Sequence, residues 1–365
     1  MRVGMVSRYR VPTMEEIRKI PWNGYNVVST FSGGGGSCLG YRMAGYRVLW
    51  ASEFVEEAQR TYRANHPTML DTRDIRTVKG SDILKATGLE VGELDLFDGS
   101  PPCSAFSTAG SREKGWGKAK SYSDGKRQVV DDLFFEYVRL LGELKPKTFV
   151  AENVSGLIKG AAKGYFKNII RAMQAEGYVV KAGLLKASWL GVPQIRERVI
   201  FQGVRNDLNM QPVFPKPFGR EIPLAEAFEG MEQDEAQRRY LLENIKRYAV
   251  YEKLRQIPRN PPKRTNYQKA VGGEAWFNLV RESMACPCST VTASGGGKGS
   301  ASSMHPLEDR KLTIPEVKRI MSVPDDFVLT GTYEQQYERL GRMVPPLMMR
   351  EISKTVAGEV LSKIK

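Results

Sequence analysis

Histidine and cysteine are scarce in this chain of 365 residues, and their scarcity excludes two classes of protein. The histidines, His66 and His305, are isolated in the sequence, so they do not complete a set of metal ligands with the Cys-Pro-Cys segment at residues 286–288. A structural zinc site needs four such ligands, and we therefore expect no bound metal. The cysteines are Cys38, Cys103, Cys286 and Cys288. So few thiols in a chain of this size do not form a disulfide framework, and we expect them to be reduced.

Long apolar runs and acidic residues are also lacking. No run approaches the ~20 apolar residues of a membrane-spanning helix, and residues 1–21 are too polar for a signal peptide. The 41 acidic residues are outnumbered by 55 lysines and arginines, which gives a formal charge of +14. This charge favours a polyanionic partner, and nucleic acid is the first candidate. We expect a cytoplasmic protein with no membrane partner.

The apolar pattern from residue 25 to about residue 203 predicts an α/β fold. Short apolar strands, among them residues 94–98, 148–150 and 199–202, alternate with amphipathic helices such as residues 56–65 and 131–144. This alternation is typical of a doubly wound, mostly parallel sheet.

The alternation is lost after residue 203, which predicts a second, smaller domain. Residues 204–303 contain a prolonged basic helical stretch at 232–257, a proline-rich segment and a glycine-serine tract. We therefore divide the chain into residues 1–203, a basic insertion at 204–303, and a C-terminal segment at 304–365 whose last helix packs back on the first domain. Residues 111–128 are rich in Gly, Ser, Lys and Arg and predict a mobile basic loop.

A glycine-rich turn at residues 31–36 lies between a predicted strand and a predicted helix. Such a turn lets a ligand approach the backbone, and Glu53, at the end of the next strand, is placed to bind ribose hydroxyls. The turn has neither the G-x-G-x-x-G spacing nor a phosphate-binding lysine, so a dinucleotide or a triphosphate fits poorly. A smaller nucleoside such as S-adenosylmethionine suits it better.

Cys103 follows two prolines in the segment GSPPCSAFS, directly after the strand at residues 94–98. The Gly-Ser-Pro-Pro turn forces the backbone out of the sheet at its carboxyl edge, where α/β proteins place their chemistry. A free cysteine is more often a buried hydrophobic residue, but this position is that of a nucleophile.

Nine segments, taken in order, resemble the motifs of the DNA cytosine-5 methyltransferase family. They are FSGGGGSCLGYRMAG, LWASEF, DTRDI, GSPPCSAFS, DDLFFEYVRLL, AENV, QIRERV, RKLTIPEVKRIMSVPDDF and RLGRMVPP. The resemblance covers about residues 26–202 and 290–361. It implies a class I S-adenosylmethionine-dependent methyltransferase fold, with residues 1–203 as the catalytic and cofactor-binding domain and residues 204–303 as a target-recognition domain.

The resemblance also implies the roles of individual residues in adding a methyl group to C5 of a flipped-out cytosine. The implied catalytic residues are Cys103, Glu152, Arg196 and Arg198. The implied cofactor-binding residues are Phe31, Gly33, Gly35, Gly36, Glu53, Phe54, Asp74, Ile75, Pro101, Leu133, Arg342 and Met343. The implied DNA-binding residues are Ser107, Thr290 and Thr292. Arg196 and Arg198 alternate along one face of an extended segment, which suits contacts to the cytosine O2 and a flanking phosphate.

Three positions depart from the family pattern. Ser29 stands where the first motif usually begins with Asp, Ser104 where Gln usually follows the cysteine, and Arg342 where the tenth motif usually has Asn. The changes at Ser29 and Arg342 make the expected cofactor site more positive. This leaves two alternatives open: ordinary methyl transfer, with Arg342 facing solvent or a DNA phosphate, or a carboxylated S-adenosylmethionine whose carboxylate Arg342 binds.

Two further alternatives concern the substrate and the activity. One branch of the family acts on a tRNA cytosine, but the large insertion favours double-stranded DNA. A catalytically inactive DNA-binding regulator is opposed by the intact Cys103, Glu152, Arg196 and Arg198. We expect a monomeric, bacterial or phage-encoded protein associated with the nucleoid, with a cognate restriction endonuclease as its potential partner.

Overall fold

A computed structural model describes residues 9–102, 120–121, 127–128, 132–158, 162–272 and 276–364. Its strands are β1 (Asn26–Thr30), β2 (Arg47–Ser52), β3 (Met69–Asp71), β4 (Leu96–Gly99), β5 (Lys120–Ser121), β6 (Arg127–Gln128), β7 (Thr148–Val154), β8 (Tyr178–Lys186), β9 (Glu197–Arg205), β10 (Thr265–Asn266), β11 (Val280–Arg281) and β12 (Ser303–Met304). Its helices are α1 (Met14–Arg18), α2 (Gly36–Met43), α3 (Glu56–Asn65), α4 (Gly80–Thr87), α5 (Leu133–Leu144), α6 (Ala162–Ala175), α7 (Leu224–Ala227), α8 (Glu235–Asn244), α9 (Ala249–Arg255), α10 (Tyr267–Val271), α11 (Ile314–Ile320), α12 (Tyr333–Arg342) and α13 (Pro346–Glu359).

Seven strands form one sheet in the order β3-β2-β1-β4-β7-β9-β8. Strands β1, β2, β3, β4 and β7 pair in parallel, whereas β9 runs antiparallel to both β7 and β8. The predicted class, a doubly wound and mostly parallel sheet, is confirmed. The chain moves outward from β1 to β3 on one side and from β4 on the other, so the switch point lies between β1 and β4. In such sheets, ligands bind beyond the carboxyl ends of the strands at that point.

Both faces of the sheet are covered by helices, and each strand contributes to both cores because neighbouring residues of a strand point to opposite faces. Val27 and Leu96 belong to a core shared with α2, α11 and α13, while Val28 and Phe97 belong to a second core shared with α5 and α6. Most side chains of the central strands are therefore apolar and buried, and the polar side chains among them need a partner.

The sequence-based boundaries shift by a few residues. The strand predicted at 94–98 is Leu96–Gly99, and the strand predicted at 148–150 extends to Val154, which brings Glu152 and Asn153 into the sheet. The prediction of one helical stretch over 232–257 is wrong. Tyr248 adopts an extended conformation (φ −124°, ψ 145°) that separates α9 from a 3-10 turn after α8.

The insertion contains its own small core. Strands β10, β11 and β12 form a three-stranded sheet, against which Val250, Leu254 and Leu279 pack. Leu224, Cys288 and Val291, by contrast, pack into the large core, so both ends of the insertion are attached to the first domain. In the part of the chain described, no helix combines the length and apolar character that a membrane crossing requires.

Helix α13 packs against α2 at Gly40. A Cβ atom at Gly40 would lie 2.6 Å from both the Pro346 carbonyl oxygen and Met349 Cβ. Main chain occupies one side of this contact and cannot move as a side chain can. The close approach of the last helix to the first domain therefore depends on glycine at this position.

We expect Gly40→Ala to lower the free energy of unfolding by about 1–3 kcal/mol, because the added methyl group overpacks this contact. Gly164→Ala in α6 is the matched control, since a Cβ atom placed at Gly164 would have nothing within 4 Å. It should instead stabilise the protein by about 0.4–1 kcal/mol by restricting the unfolded chain. Urea denaturation of both variants measures the difference. Equal effects of the two substitutions would contradict the close approach of α2 and α13.

Candidate active site

The glycine turn joins β1 to α2 through a series of left-handed residues. Phe31 has φ 54°, Gly33 has φ 56°, and Gly35, which precedes α2, has φ 93°. A Cβ atom at Gly35 would lie 2.1 Å from His66 Nε2, so this position requires glycine for two reasons. Gly33, by contrast, faces open space among the described residues, none of which lies within 4 Å of a Cβ at that position. The turn therefore presents its backbone to a free volume.

Glu53 closes the side of this turn. Its Oε2 accepts a hydrogen bond from the Gly33 amide at 2.8 Å, and its Oε1 accepts one from the Val55 amide at 2.7 Å. Burial raises the pKa of the Glu53 carboxyl, while these amides and the nearby Arg339 and Arg342 oppose the rise. An acceptor thus lies beside the open volume in front of Gly33, as binding of ribose hydroxyls requires.

The other predicted cofactor residues lie around the carboxyl edge of the sheet. Asp74 caps a 3-10 turn by accepting from the Arg76 amide at 3.1 Å. Ile75 and Leu133 are buried in the second core, Pro101 is buried after β4, and Phe54 follows Glu53. Met343 contacts the turn itself, because its side chain would meet Cβ atoms placed at Gly34 or Gly36. These positions fit a nucleoside held by backbone and apolar contacts.

Glu152 and Arg198 form an ion pair across the sheet. Glu152 lies near the carboxyl end of β7 and Arg198 on the antiparallel strand β9, with 2.5 Å between Arg198 Nε and Glu152 Oε1. Each side chain is only about a tenth exposed. Burial lowers the pKa of Arg198, and the adjacent carboxylate of Glu152 opposes that shift. The pair presents a carboxylate and a guanidinium together at the edge where the Pro-Pro turn begins.

Arg196 is bound to the main chain of two other segments. Its side chain is 2% exposed, and its guanidinium donates to the carbonyls of Val291 at 3.0 Å and Gly341 at 2.9 Å. Burial lowers its pKa well below the usual value, and the charge of Arg198 adds to this effect. Two of its three guanidinium nitrogens are thus bound to buried main chain, and a contact from Arg196 to the substrate stays a prediction. Arg196 positions these two segments.

Thr290 and Thr292 flank the carbonyl that Arg196 holds. Both are half-buried, and the intervening Val291 amide donates to Gln194 Oε1 at 3.1 Å. The segment expected to bind DNA is therefore fixed to the start of β9. Cys103 and Ser107 lie outside the described residues, and so does most of the predicted basic loop. The last described residues before Cys103 are anchored, since Asn153 Nδ2 donates to the Pro101 carbonyl at 3.1 Å.

Arg342 already has a carboxylate partner. Its Nη2 lies 2.7 Å from Glu338 Oε1, one turn earlier in α12, and its Nε donates to the same oxygen at 2.8 Å. The side chain is 34% exposed, and Glu338 also contacts Arg339 at 3.0 Å. The extra positive charge expected at this position is therefore compensated within the helix.

Asp98 is a site residue that the sequence reasoning missed. It is 1% exposed at the carboxyl end of β4 and accepts hydrogen bonds from Ser29 Oγ at 2.7 Å and Tyr41 Oη at 2.9 Å. Burial raises the pKa of its carboxyl to about 7. The sequence does contain a signal for it: Asp98 is an acidic residue at the end of the otherwise apolar strand β4, and Ser29 on β1 stands where the family usually has an acid. In the described part of the chain, no cluster of three or more potential metal ligands is present.

We expect Arg196→Lys to weaken ligand binding as well as stability, because lysine cannot hold both carbonyls. Leaving one buried acceptor unpaired should lower the free energy of unfolding by about 1–3 kcal/mol. Arg205→Lys is the matched control, since Arg205 donates to the carbonyls of Gly92 and Lys145 at the opposite end of β9. Both variants should lose stability in urea, but only Arg196→Lys should weaken S-adenosylmethionine in calorimetric titration. Unchanged affinity in Arg196→Lys would argue against its positioning role.

A family profile and several known proteins match most of this chain. A profile of the family described as C-5 cytosine-specific DNA methylase matches residues 25–358. The chain is 30% identical over 347 residues to the Type II methyltransferase M.Sau96I of Staphylococcus aureus, covering 91% of this chain and 75% of that protein. It is 28% identical over 364 residues to M.NgoPII of Neisseria gonorrhoeae, covering 94% and 98%. In fold, it is similar to a crystal structure of a putative DNA modification methyltransferase from an Escherichia coli prophage, with a TM-score of 0.63, 20% identity and coverage of 93% and 100%. The chain therefore belongs to the C-5 cytosine-specific DNA methylase family.

Proposed function

We propose that this protein methylates C5 of a flipped-out cytosine in double-stranded DNA, with Cys103 as the nucleophile. The observation that carries the proposal is the buried Glu152–Arg198 pair, which lies at the same sheet edge as the glycine turn. A carboxylate and a guanidinium are thereby placed next to the turn that leads to Cys103. The chain has the groups for cytosine recognition on one side of the switch point and those for a nucleoside cofactor on the other.

S-adenosylmethionine is the proposed donor, and it supplies an activated methyl group when bound. The residues present fit such a group: Gly33 faces open space, Glu53 offers a carboxylate beside it, and Met343 contacts the turn. Binding there would let Glu53 exchange its amide partners for ribose hydroxyls. The neighbouring turn capped by Asp74 and the buried Ile75 would border the base.

The chemistry on the cytosine follows from its low reactivity at C5. Addition of the Cys103 thiolate to C6 forms an S–C6 bond and makes C5 nucleophilic enough to take the methyl group. Glu152, once protonated from solvent, would donate that proton to N3 as the thiolate adds and take it back when the thiolate leaves, and Arg198 would hold the O2 while keeping Glu152 oriented. A water molecule then takes the C5 proton, and the electrons of the C5–H bond restore the C5–C6 double bond as the S–C6 bond breaks and the Cys103 thiolate leaves. The thiolate would be favoured by cationic surroundings, which Arg198 helps to provide.

We propose that the basic insertion and residues 111–128 are the segments that bind the DNA. A base in a duplex is inaccessible to Glu152, so it must leave the stack, at a cost of a few kcal/mol. The net charge of +14 supplies phosphate attraction, and the segment containing Thr290 and Thr292 is fixed beside the site. Since relatives are named Type II methyltransferases, we further propose a restriction endonuclease as the cognate partner. A monomeric, cytoplasmic protein stays part of this proposal.

We expect Cys103→Ser to abolish methyl transfer while DNA binding survives, because a hydroxyl is too weakly acidic to add to C6. A duplex with 5-fluorocytosine at the target has no C5 proton to lose and should trap wild-type protein covalently. The adduct is measured by denaturing electrophoresis and located by peptide mass spectrometry at Cys103. Normal methylation of ordinary DNA without any trapped adduct would contradict the addition mechanism.

The alternative donor, a carboxylated S-adenosylmethionine, depends on Arg342. The guanidinium lies near Glu53 and is partly exposed, but a donor carboxylate would have to compete with Glu338. We therefore propose ordinary methyl transfer, with Arg342 balancing the charge of Glu338. Glu338→Gln would release Arg342 from this partner and is the sharpest variant for separating the two donors.

We expect wild type to yield 5-methylcytosine when both donors are offered at equal concentration, and Arg342→Asn to keep that preference. Glu338→Gln should move product toward 5-carboxymethylcytosine, because it leaves a guanidinium without this carboxylate. Nucleoside mass spectrometry of the product DNA gives the ratio. A wild type that prefers the carboxylated donor, with a loss of about 5- to 150-fold in that preference in Arg342→Asn, would establish the alternative.

A further inference from the structure

The first motif lacks its usual carboxylate, but a carboxylate from the neighbouring strand lies beside that position in the structure. Ser29 occupies the position on β1 where the family usually has Asp, and its register partner on the parallel neighbour β4 is Asp98. Ser29 Oγ donates to Asp98 Oδ2 at 2.7 Å. The pair of strand positions therefore still holds one carboxylate and one hydrogen-bond donor, with the acid on the other strand.

This carboxylate is connected to the glycine turn by short hydrogen bonds. Ser32 Oγ lies 3.0 Å from Ser29 Oγ and 3.1 Å from the Ser29 carbonyl oxygen, and its one hydroxyl proton is shared between these two acceptors because Ser29 donates its own to Asp98. The Ser32 carbonyl in turn accepts from the Gly35 amide at 2.9 Å, immediately before α2. Tyr41 of α2 donates its hydroxyl to the other oxygen of Asp98. One buried group thus fixes the end of β1, the turn and the helix that follows.

Among the described residues, no positively charged side chain is one of the groups that interact electrostatically with Asp98. The titratable groups facing it are Cys38 and Tyr41 of α2, Tyr137 of α5 and Glu152 of β7. Its stabilisation depends on the hydroxyls of Ser29 and Tyr41, so removing the carboxylate leaves both donors and the turn without their common partner. Asp98 also directly precedes the Gly-Ser-Pro-Pro turn that leads to Cys103.

We infer that Asp98 is a positioning residue for the cofactor turn, and that its carboxylate acts from β4 in place of the acid usually carried at Ser29. It acts through Ser29 and Ser32 and does not touch the donor. The inference deepens the proposed function and depends on it, because the turn is taken to bind S-adenosylmethionine.

The test exchanges the two side chains between the strands. Asp98→Ser alone should weaken S-adenosylmethionine binding by about tenfold or more, the scale of one lost charge-assisted hydrogen bond. The double variant Ser29→Asp/Asp98→Ser returns one carboxylate to the pair and should recover affinity to within about threefold of wild type. Calorimetric titration of the full-length protein, without DNA, measures both. In turnover, Asp98→Ser should raise KM for the donor while kcat at saturating donor changes by less than about threefold.

Asp95→Ser is the matched control. Asp95 is also a buried acid beside β4, where it accepts from the Asn26 amide at 2.9 Å and pairs with Lys147 at 2.7 Å, but it lies at the opposite end of the strands. Its loss should lower thermal stability without changing donor affinity. Asp98→Asn, which keeps the shape of the side chain, serves as the second test if Asp98→Ser does not fold.

Wild-type affinity in folded Asp98→Ser or Asp98→Asn would overturn the inference. A carboxylate on either strand should support folding and donor binding. An exchanged variant that binds the donor no better than Asp98→Ser, or one that does not fold, would therefore also overturn the inference. The proposed function fails separately: wild type would bind neither S-adenosylmethionine nor S-adenosylhomocysteine in the same titration. In that case the variants have no donor affinity to lose, and thermal melts alone would show what Asp98 stabilises.

Discussion

The Arg196 guanidinium connects the three parts of the chain on which the candidate site depends. It extends from the start of β9 and binds one carbonyl beside the threonines of the insertion and one at the end of α12. The first segment is expected to face DNA, and the second ends in Arg342 and Met343 beside the glycine turn. Because a planar guanidinium donates in fixed directions, it sets the spacing of these segments more strictly than apolar packing would.

Burial is what gives the charged groups of the site their specific roles. Glu152 and Arg198 balance one another, while Arg342 and Arg339 share Glu338. A similar arrangement lies within the C-terminal segment, where buried Arg310 donates to both oxygens of buried Glu316 at 2.8 and 2.7 Å. Such pairs add little to stability relative to apolar packing, but removing one partner is costly. The Glu152–Arg198 pair therefore specifies the contact between β7 and β9 at this edge of the sheet.

The sequence predicted the sheet class and the approximate position of the site because both depend on local patterns. Apolar strands alternating with helices predict a doubly wound sheet, and Gly-rich and Pro-Pro turns mark the carboxyl edge. The partners of individual charged side chains were not predictable in this way. Arg196 and Arg198 are two residues apart, yet one binds main chain of distant segments and the other a carboxylate on β7. Which partner each finds depends on tertiary contacts that local periodicity does not contain.

The net charge of the expected cofactor site also depends on tertiary contacts, and counting charges residue by residue along the sequence does not include them. Ser29 and Arg342, taken alone, make the site more positive than the family pattern. In the structure each is adjacent to a carboxylate, Asp98 on the neighbouring strand and Glu338 one helical turn away. Electrostatic energy depends on distances between groups, and a parallel register or an i,i+4 spacing makes two separate positions into one electrostatic unit. A carboxylate on the strand paired with β1 therefore lies beside Ser29 even though the first motif lacks its usual acid, and the position of a residue in a motif does not by itself fix the charge around it.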